Sequence, residues 1–476
     1  ACVGVECSGI GQFFWNSVKM VIPAVAISTI VGALNGYVLT KWTFKGANVV
    51  FALILFGSML LLFMMKVPIG FSLMLSSVLV LVLTGTGLEM VPKKLFTSCD
   101  SFPFMAVPFF ILSGTLMSQG GISERLVNFI NSLVGRFPGG LGLVAVVACM
   151  FFAAISGSSA ATTAAIGGML IPEMVKRGYD KDFSAAINAA GGTIGVIIPP
   201  SIPFVTYGVL TGCSIATLFM AGFLPGILMG VALMITVVII SQKKGYRDEY
   251  KASGREIWQG FKGAILAILM PVIVLGGIYS GKFTPTEAAV VAVFYGLIVG
   301  MVVYRNITFK SLVKILKDSA ISTAQVMILI CAASLFGYVL TANRIPDMVA
   351  NAMLAISSNK YVILLLINIL LLIVGTFLDT TAALIILVPI LFPVISALGV
   401  NPYHFGMIIC VNLAVGMITP PFGACLFVAC GVAKTGLEAI TKKVVPFLLA
   451  LIAVIFLVTY IEPISLLLPK LLGAKL

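Results

Sequence analysis

The sequence predicts an all-α polytopic membrane protein of two inverted repeats, each containing a re-entrant helical hairpin and a broken helix. Three observations carry this. Of 476 residues, 60% are hydrophobic and only 9% charged, with a mean hydropathy of +1.17, far from the soluble norm of about 25% charged. Apolar runs repeatedly approach or exceed the roughly 20 residues that cross a bilayer as a helix, and none shows the period-two alternation of a transmembrane barrel. One pattern of breaks also occurs twice. Thr162-Thr163-Ala164-Ala165 recurs as Thr380-Thr381-Ala382-Ala383, and Ile198-Pro199-Pro200 recurs as Thr419-Pro420-Pro421. Each Pro pair is followed at the same separation by another proline, Pro225 and Pro446.

Taken in order, residues 18–39 form a first span, set apart by the polar turn 40–48. Residues 49–65 and 69–83 are two spans joined at Lys66-Val67-Pro68. A basic amphipathic piece, 89–99, ends in Asp100-Ser101-Phe102-Pro103, and because proline pushes the residue before it out of the helical region a turn is expected there. Residues 104–118 return as a helix stopping at Gly120-Gly121, so a re-entrant hairpin with its tip at Ser101 and Pro103 is expected. The stretch 156–206 alternates apolar runs with small residues. Gly costs about 1 kcal/mol and Pro about 3 kcal/mol relative to Ala inside a helix, so Ser156-Gly157-Ser158-Ser159 and Pro199-Pro200 should each open a break.

The second half repeats the plan. A basic piece, 304–317, leads into 321–333, a candidate tip at Ser334-Leu335-Phe336-Gly337, and a return helix closing near Asn343-Arg344-Ile345-Pro346. Then come 361–374, a break at 375–379, a helix to Val394, a turn at 399–403, residues 404–418, the second Pro pair and apolar segments to Leu468. The corresponding division is an N-terminal helix 1–47, scaffold helices 48–88, a first transport half 89–210, scaffold 211–310 with a loop at 241–262, a second transport half 311–435 and a C-terminal scaffold helix 436–476. Interrupted apolar segments at matching places in two halves point to a polar site near the membrane midplane. The plainer reading, small residues that merely let helices pack, does not explain why the order of breaks repeats.

A net charge of +13 would suggest nucleic acid in a soluble protein. Here the Lys and Arg residues sit in short loops between apolar runs, the positive-inside pattern, and no nucleic-acid partner is expected. Loop 241–262 and the stretch 304–317 are placed in the cytoplasm, with two spans between them, and Lys176-Arg177-Gly178-Tyr179-Asp180-Lys181 falls on the same face. Six of the nine cysteines lie in apolar segments without ligand spacing and read as small hydrophobes. The spacing of Cys2 and Cys7 does not decide between a pair and free thiols. The chain opens at Ala1 rather than Met, so the natural start is expected upstream, and no charged-then-apolar signal peptide is visible. One histidine and few acids leave little material for an enzyme, and no GxxxxGK[ST] loop supports ATP-driven pumping.

The stretches DSFPFMAVPFFILSG, SGSSAATTAAIGGMLIPEM, GGTIGVIIPPSIPFVTYG, GKFTPTEAAVVA, FLDTTAALIILVPILFPV and GMITPPFGACLFV together resemble the large membrane (permease) subunit of the tripartite ATP-independent periplasmic (TRAP) transporters, from about Phe51 to the C-terminus. That resemblance implies sodium-coupled import, across the bacterial cytoplasmic (inner) membrane, of an organic acid anion such as sialic acid, another sugar acid or a C4-dicarboxylate. It implies delivery by a periplasmic substrate-binding protein, a small membrane subunit, separate or fused, and an elevator motion of a transport domain against a scaffold. Residues 1–47 fit a linker helix from a fused small subunit. Na+ is the coupling ion, and no other metal, cofactor or catalytic residue is expected. A related carrier that is proton-coupled or independent of a binding protein is the alternative.

Carried onto this sequence, one sodium site falls where Ser101 and Pro103 meet Ser156, Gly157, Ser158 and Ser159. The other falls where Ser334 and Gly337 meet Asp379, Thr380, Gly416 and Thr419. Substrate contacts are expected from Ser158, Thr162, Pro200, Ser201, Asp379 and Arg344. Asp379 is costly in an apolar run, which favours a site over a simple helix cap. Glu287 reads as the end of a capping box from Thr284. Arg344, near a hairpin end, suits snorkelling as well as substrate, and His404 is expected at the interface.

Overall fold

The computed structural model describes residues 47–85, 87–246, 252–357, 359–474 and 476, and the span expected at 18–39 lies outside them. Every regular element among the described residues is helical. Eight of the helices are long and apolar enough to cross a membrane, so the expectation of an all-helical polytopic protein holds.

The described residues divide into two units, 47–96 with 332–345, and 97–331 with 346–476. In the smaller, α1 (Ala47–Met64) and α2 (Ile69–Leu83) are joined by a turn in which Lys66 adopts φ 62. The amphipathic α3 (Met90–Cys99) follows, with Lys94 over the Tyr338 ring at 5.1 Å.

In the larger unit a 3₁₀ turn, Phe102–Met105, opens α4 (Ala106–Gln119). Pro103 therefore starts a helix, where its missing N–H costs nothing. Gly121, at φ 78, turns the chain into α5 (Ile122–Val134). Next come α6 (Gly140–Ser156), α7 (Ser159–Lys176), α8 (Lys181–Gly192) with a 3₁₀ turn Thr193–Val196, α9 (Ile202–Thr211) and α10 (Ile215–Lys244). Helices α11 (Gly254–Tyr279) and α12 (Pro285–Leu297) both start with capping boxes, Ser253 with Glu256 and the expected Thr284 with Glu287. The long α13 (Phe309–Ala342) and α14 (Ile345–Ile356) lead into α15 (Lys360–Phe377), α16 (Thr380–Ala397), α17 (Pro402–Gly416), α18 (Ala424–Ala433), α19 (Leu437–Tyr460) and α20 (Pro463–Leu471).

Close approaches fix helix directions. A Cβ added at Gly142 would meet Ile187, and one at Gly191 would meet Cys149, so α6 and α8 run parallel. A Cβ at Gly192 would meet Thr163 and one at Gly167 would meet Asn188, so α7 runs against α8 and therefore against α6. Helices α6 and α7 are thus a re-entrant hairpin whose tip is Gly157-Ser158. In the second repeat Asn412 donates to Asn368 Oδ1 at 2.9 Å, and Gly375 abuts Gly416, which sets α15 parallel to α17. Thr380 at the start of α16 touches Met417 just past α17, and α16 packs along α17, so α16 runs back and the second tip is Leu378-Asp379.

The repeats are inverted. Helices α8 and α9 form one discontinuous span running from the basic end at Lys181, where its Nζ donates to the Lys434 carbonyl at 2.8 Å, to an opposite end where the Tyr207 hydroxyl donates to the Pro402 carbonyl at 2.6 Å. The discontinuous span α17–α18 runs between the same two ends in the other direction.

Two sequence expectations move. At Ser101 and Pro103 the chain does break, between α3 and the 3₁₀ turn that opens α4, but the packed antiparallel pair of helices lies later, with its tip at Gly157-Ser158. The tip expected at Ser334-Gly337 lies inside continuous α13. A single Gly costs about 1 kcal/mol, too little to break a long apolar helix that has no Pro beside it. The turn falls later, at Arg344, which adopts φ 51.

At the basic end Asp180 ties three elements together. Its carboxylate accepts from the N–H of Asp182 and Phe183, capping α8, and pairs with Lys443 of α19 at 3.1 Å and Lys244 of α10 at 3.6 Å. The Tyr246 ring stacks on Tyr179 at 4.6 Å. Burial acts to raise the Asp180 pKa, but the Lys443 ammonium and the two N–H donors outweigh it and hold the carboxyl below its usual value. A depressed carboxyl stabilises the fold at neutral pH, and that contribution is lost as pH falls below the ordinary carboxylate range of about 4. Asp180→Ala is expected to lose the cap, worth about 1 kcal/mol, and to lower the melting temperature of detergent-solubilised protein at pH 7, with a smaller difference from wild type at pH 3.

Candidate functional site

Each hairpin tip rests on the break of its own repeat's discontinuous span. At the first, Gly157 ends α6 at φ 61 and Ser158 opens α7 in an extended conformation, its hydroxyl accepting from Ala161 N–H, so two residues reverse the chain. A Cβ on Gly157 would stand 2.8 Å from the Pro200 carbonyl. The Ser156 and Thr162 hydroxyls lie 2.9 Å apart, Thr162 donates to the Ser158 carbonyl at 2.8 Å, and Ser159 donates to the Thr193 carbonyl at 3.3 Å. Across the break, Ser201 donates to the Val196 carbonyl at 2.6 Å and caps α9.

The second tip has the same plan with one carboxylate. Asp379 caps α16, accepting from Thr381 N–H at 3.0 Å. Gly416 is packed so tightly on Gly375 that an added Cβ would sit 2.6 Å from its Cα. The Gly423 N–H donates to the Thr376 carbonyl at 3.0 Å, and Thr419 donates to the Val415 carbonyl at 3.1 Å. The tips are neighbours, because α18, which begins just past the second break with the buried Cys425, packs along α7, which begins at the first tip.

The structure therefore brings together Ser156, Gly157, Ser158, Ser159, Thr162, Pro200 and Ser201, and separately Asp379, Thr380, Gly416 and Thr419. It does not bring Ser101 and Pro103 to the first group. Pro103 lines a different cavity of about 450 Å³ with Gly208, Ser214 and Thr286. The first tip lines its own cavity of about 340 Å³, which touches α9 at Ile202. From Ile202 to Gly208 is about 9 Å along the helix. Ser334, Gly337 and Arg344 belong to the smaller unit. His404, expected at the interface, is buried, its ring held between the Thr459 carbonyl and the Ser465 hydroxyl at 3.2 Å each.

Sequence reasoning missed Thr193, Gly423 and Cys425 at the tips, and it placed Gly375 and Thr376 in a break without naming them as site residues. It also missed Thr115, Ser118, Gln119, Ser322 and Gln325 in the cavity. These last stand at three- and four-residue spacing on apolar helices, which was a readable signal.

Inverted repeats of re-entrant hairpin and discontinuous span, with oxygen-rich breaks buried in an apolar bundle, define a multi-pass membrane transporter rather than an enzyme. A family model described as the tripartite ATP-independent periplasmic transporter, DctM component, matches residues 56–464, and the chain belongs to that family. It is 45% identical over 445 residues to the isethionate TRAP transporter permease protein DctMQ of Oleidesulfovibrio alaskensis, covering 92% of this chain and 69% of that one. It is 43% identical to the sialic acid TRAP transporter large permease protein SiaM of Vibrio cholerae, over 88% of this chain and 98% of the relative. The C4-dicarboxylate large permease DctM of Rhodobacter capsulatus is 40% identical over 89% and 99%. Among solved structures, the Alcanivorax borkumensis YdaH transporter shares the fold, with a TM-score of 0.60 and 16% identity over 80% of this chain and 90% of that chain.

Gly157→Ala and Gly416→Ala are each expected to cost about 1–3 kcal/mol, through left-handed strain in the first and overpacking against backbone in the second. Gly168→Ala, inside α7 with open space around its Cβ position, is expected to cost nothing and to stabilise by up to about 1 kcal/mol. Melting temperatures of the three purified variants check this.

Proposed function

We propose that the chain carries out sodium-coupled import of a small organic acid anion delivered by a periplasmic binding protein. The observation that carries this is the meeting of each hairpin tip with its own broken span. Sodium is a hard cation that takes oxygen ligands. The first tip offers the Ser156 and Thr162 hydroxyls beside the Ser158 and Pro200 carbonyls, and the second offers Asp379, Thr419 and the carbonyls around Gly416. A single carboxylate between the two sites leaves the bound ions with net positive charge, which favours an anion nearby. Helix N-termini at α7 and α16 add to that field.

In this reading helices α6–α9 and α15–α18 form the transport body, and α10–α12 and α19 belong to the scaffold against which it slides. The boundaries differ from the sequence division because the hairpins lie later than 101–103 and 334–337. Asp180, held by Lys244 and Lys443, then clasps body to scaffold on the cytoplasmic side. The large permeases named among the relatives support a small membrane subunit as partner, and the DctMQ relative, longer than this chain, supports reading residues 1–47 as the link to one. The organic anions in the relatives' names are the candidate substrates: isethionate, sialic acid and C4-dicarboxylates.

Uptake into proteoliposomes, with binding protein outside and a sodium gradient imposed, tests this. Asp379→Asn is expected to reduce sodium-driven uptake at least tenfold while the variant inserts normally, since a neutral amide loses the charge that holds the ion. Normal uptake by Asp379→Asn, or uptake that follows a proton gradient instead, would sink the sodium reading.

A further inference from the structure

We propose that the cavity beside the first hairpin tip selects hydroxylated monoanions over dicarboxylates, with Gln119 and Gln325 as the specificity-determining residues. This rests on the transport reading above and names the substrate class of that site. The cavity has a volume of about 340 Å³, within the range of small-ligand sites. The tip supplies Ser156 and Ser158, α4 supplies Ser118 and Gln119, and α13 supplies Ser322 and Gln325. The rest of the wall is Thr115 and small or apolar residues, and no lining residue carries a formal charge.

The donor and acceptor inventory makes the choice. A carboxamide presents both an NH₂ donor and a carbonyl acceptor, and a serine hydroxyl does both as well. An oxyanion satisfies the two NH₂ groups but gives the Gln119 and Gln325 carbonyls nothing. A substrate that also carries hydroxyls supplies the missing donors, as a hydroxyalkyl sulfonate or a sugar acid does. A plain dicarboxylate is acceptor at both ends, so it leaves both carbonyls unpaired and brings a second charge into a wall without countercharge, and each is costly once water is excluded. Gln325 and Ser322 stand one helical turn apart on α13, so they face the ligand together. Among the described residues no hydrogen bond holds the Gln119 or Gln325 carboxamide away from the cavity.

The test is ligand-induced stabilisation of the purified full chain, measured as melting temperature against concentration of isethionate, N-acetylneuraminate or succinate at matched sodium. At least one of the two hydroxylated monoanions is expected to bind about tenfold or more tightly than succinate. Gln119→Leu combined with Gln325→Leu should bring that ratio to near one while leaving stabilisation by sodium chloride alone unchanged, a selectivity effect that a merely structural role would not produce. Replacing both by Asn should restore part of the ratio. Tighter binding of succinate, or an unchanged ratio in the double Leu variant, overturns the inference and leaves the transport reading standing. Sodium-independent behaviour with no anion binding at all would overturn both.

Discussion

A chain that turns back inside a bilayer must find partners for every backbone group it frees, because there is no water to supply them. The structure meets that constraint by pairing interruptions. Gly157 and Ser158 lie against the Pro200 break, and Leu378 and Asp379 lie against the 417–423 break. Neither a re-entrant hairpin nor a discontinuous helix is affordable alone in lipid, and together they leave only short stretches of carbonyl and hydroxyl oxygen. Those stretches offer the oxygen ligands a hard cation takes, so in the proposed reading the solution to a folding problem is also the candidate site.

Small residues make the pairing possible. Gly191 and Gly192 bring α8 onto α6 and α7, and Gly375 and Gly416 bring α15 onto α17; a Cβ would collide at Gly192 and Gly416 and be crowded at Gly191 and Gly375. Polar side chains inside the bundle bind one another instead of lipid. Asn368 bridges Asn412 and Thr459, and His404 bridges Thr459 and Ser465. The sparse ionisable groups are then confined to places with a physical reason, with Asp379 capping a helix at a tip and Asp180 between two lysines at the basic end.

The candidate site was partly legible in the sequence. The repeated Thr-Thr-Ala-Ala and Pro-Pro stretches fall at the breaks, and Ser156 to Ser159, Thr162, Pro200, Ser201, Asp379, Thr380, Gly416 and Thr419 are gathered where two breaks meet. Ser101, Pro103, Ser334 and Gly337 were drawn in because Pro and Gly look alike as interruptions on paper. Proline at the first turn of α4 begins a helix, and one glycine in α13 is outweighed by the apolar turns on either side.

The sequence by itself determined the class, the number of repeats and the positions of most of the breaks, the one expected at 334–337 excepted, since composition and local propensity depend only on neighbouring residues. Whether a break is a reversal or a continuation was decided by tertiary structure alone. Gly157-Ser158 turns the chain back, whereas 197–201 passes it onward. The difference lies in which helix each following segment finds to pack against, and packing partners many residues away leave no mark on local sequence. The cavity that joins α4 and α13 to the first tip is of the same kind, because Gln119 and Gln325 meet only when the bundle closes.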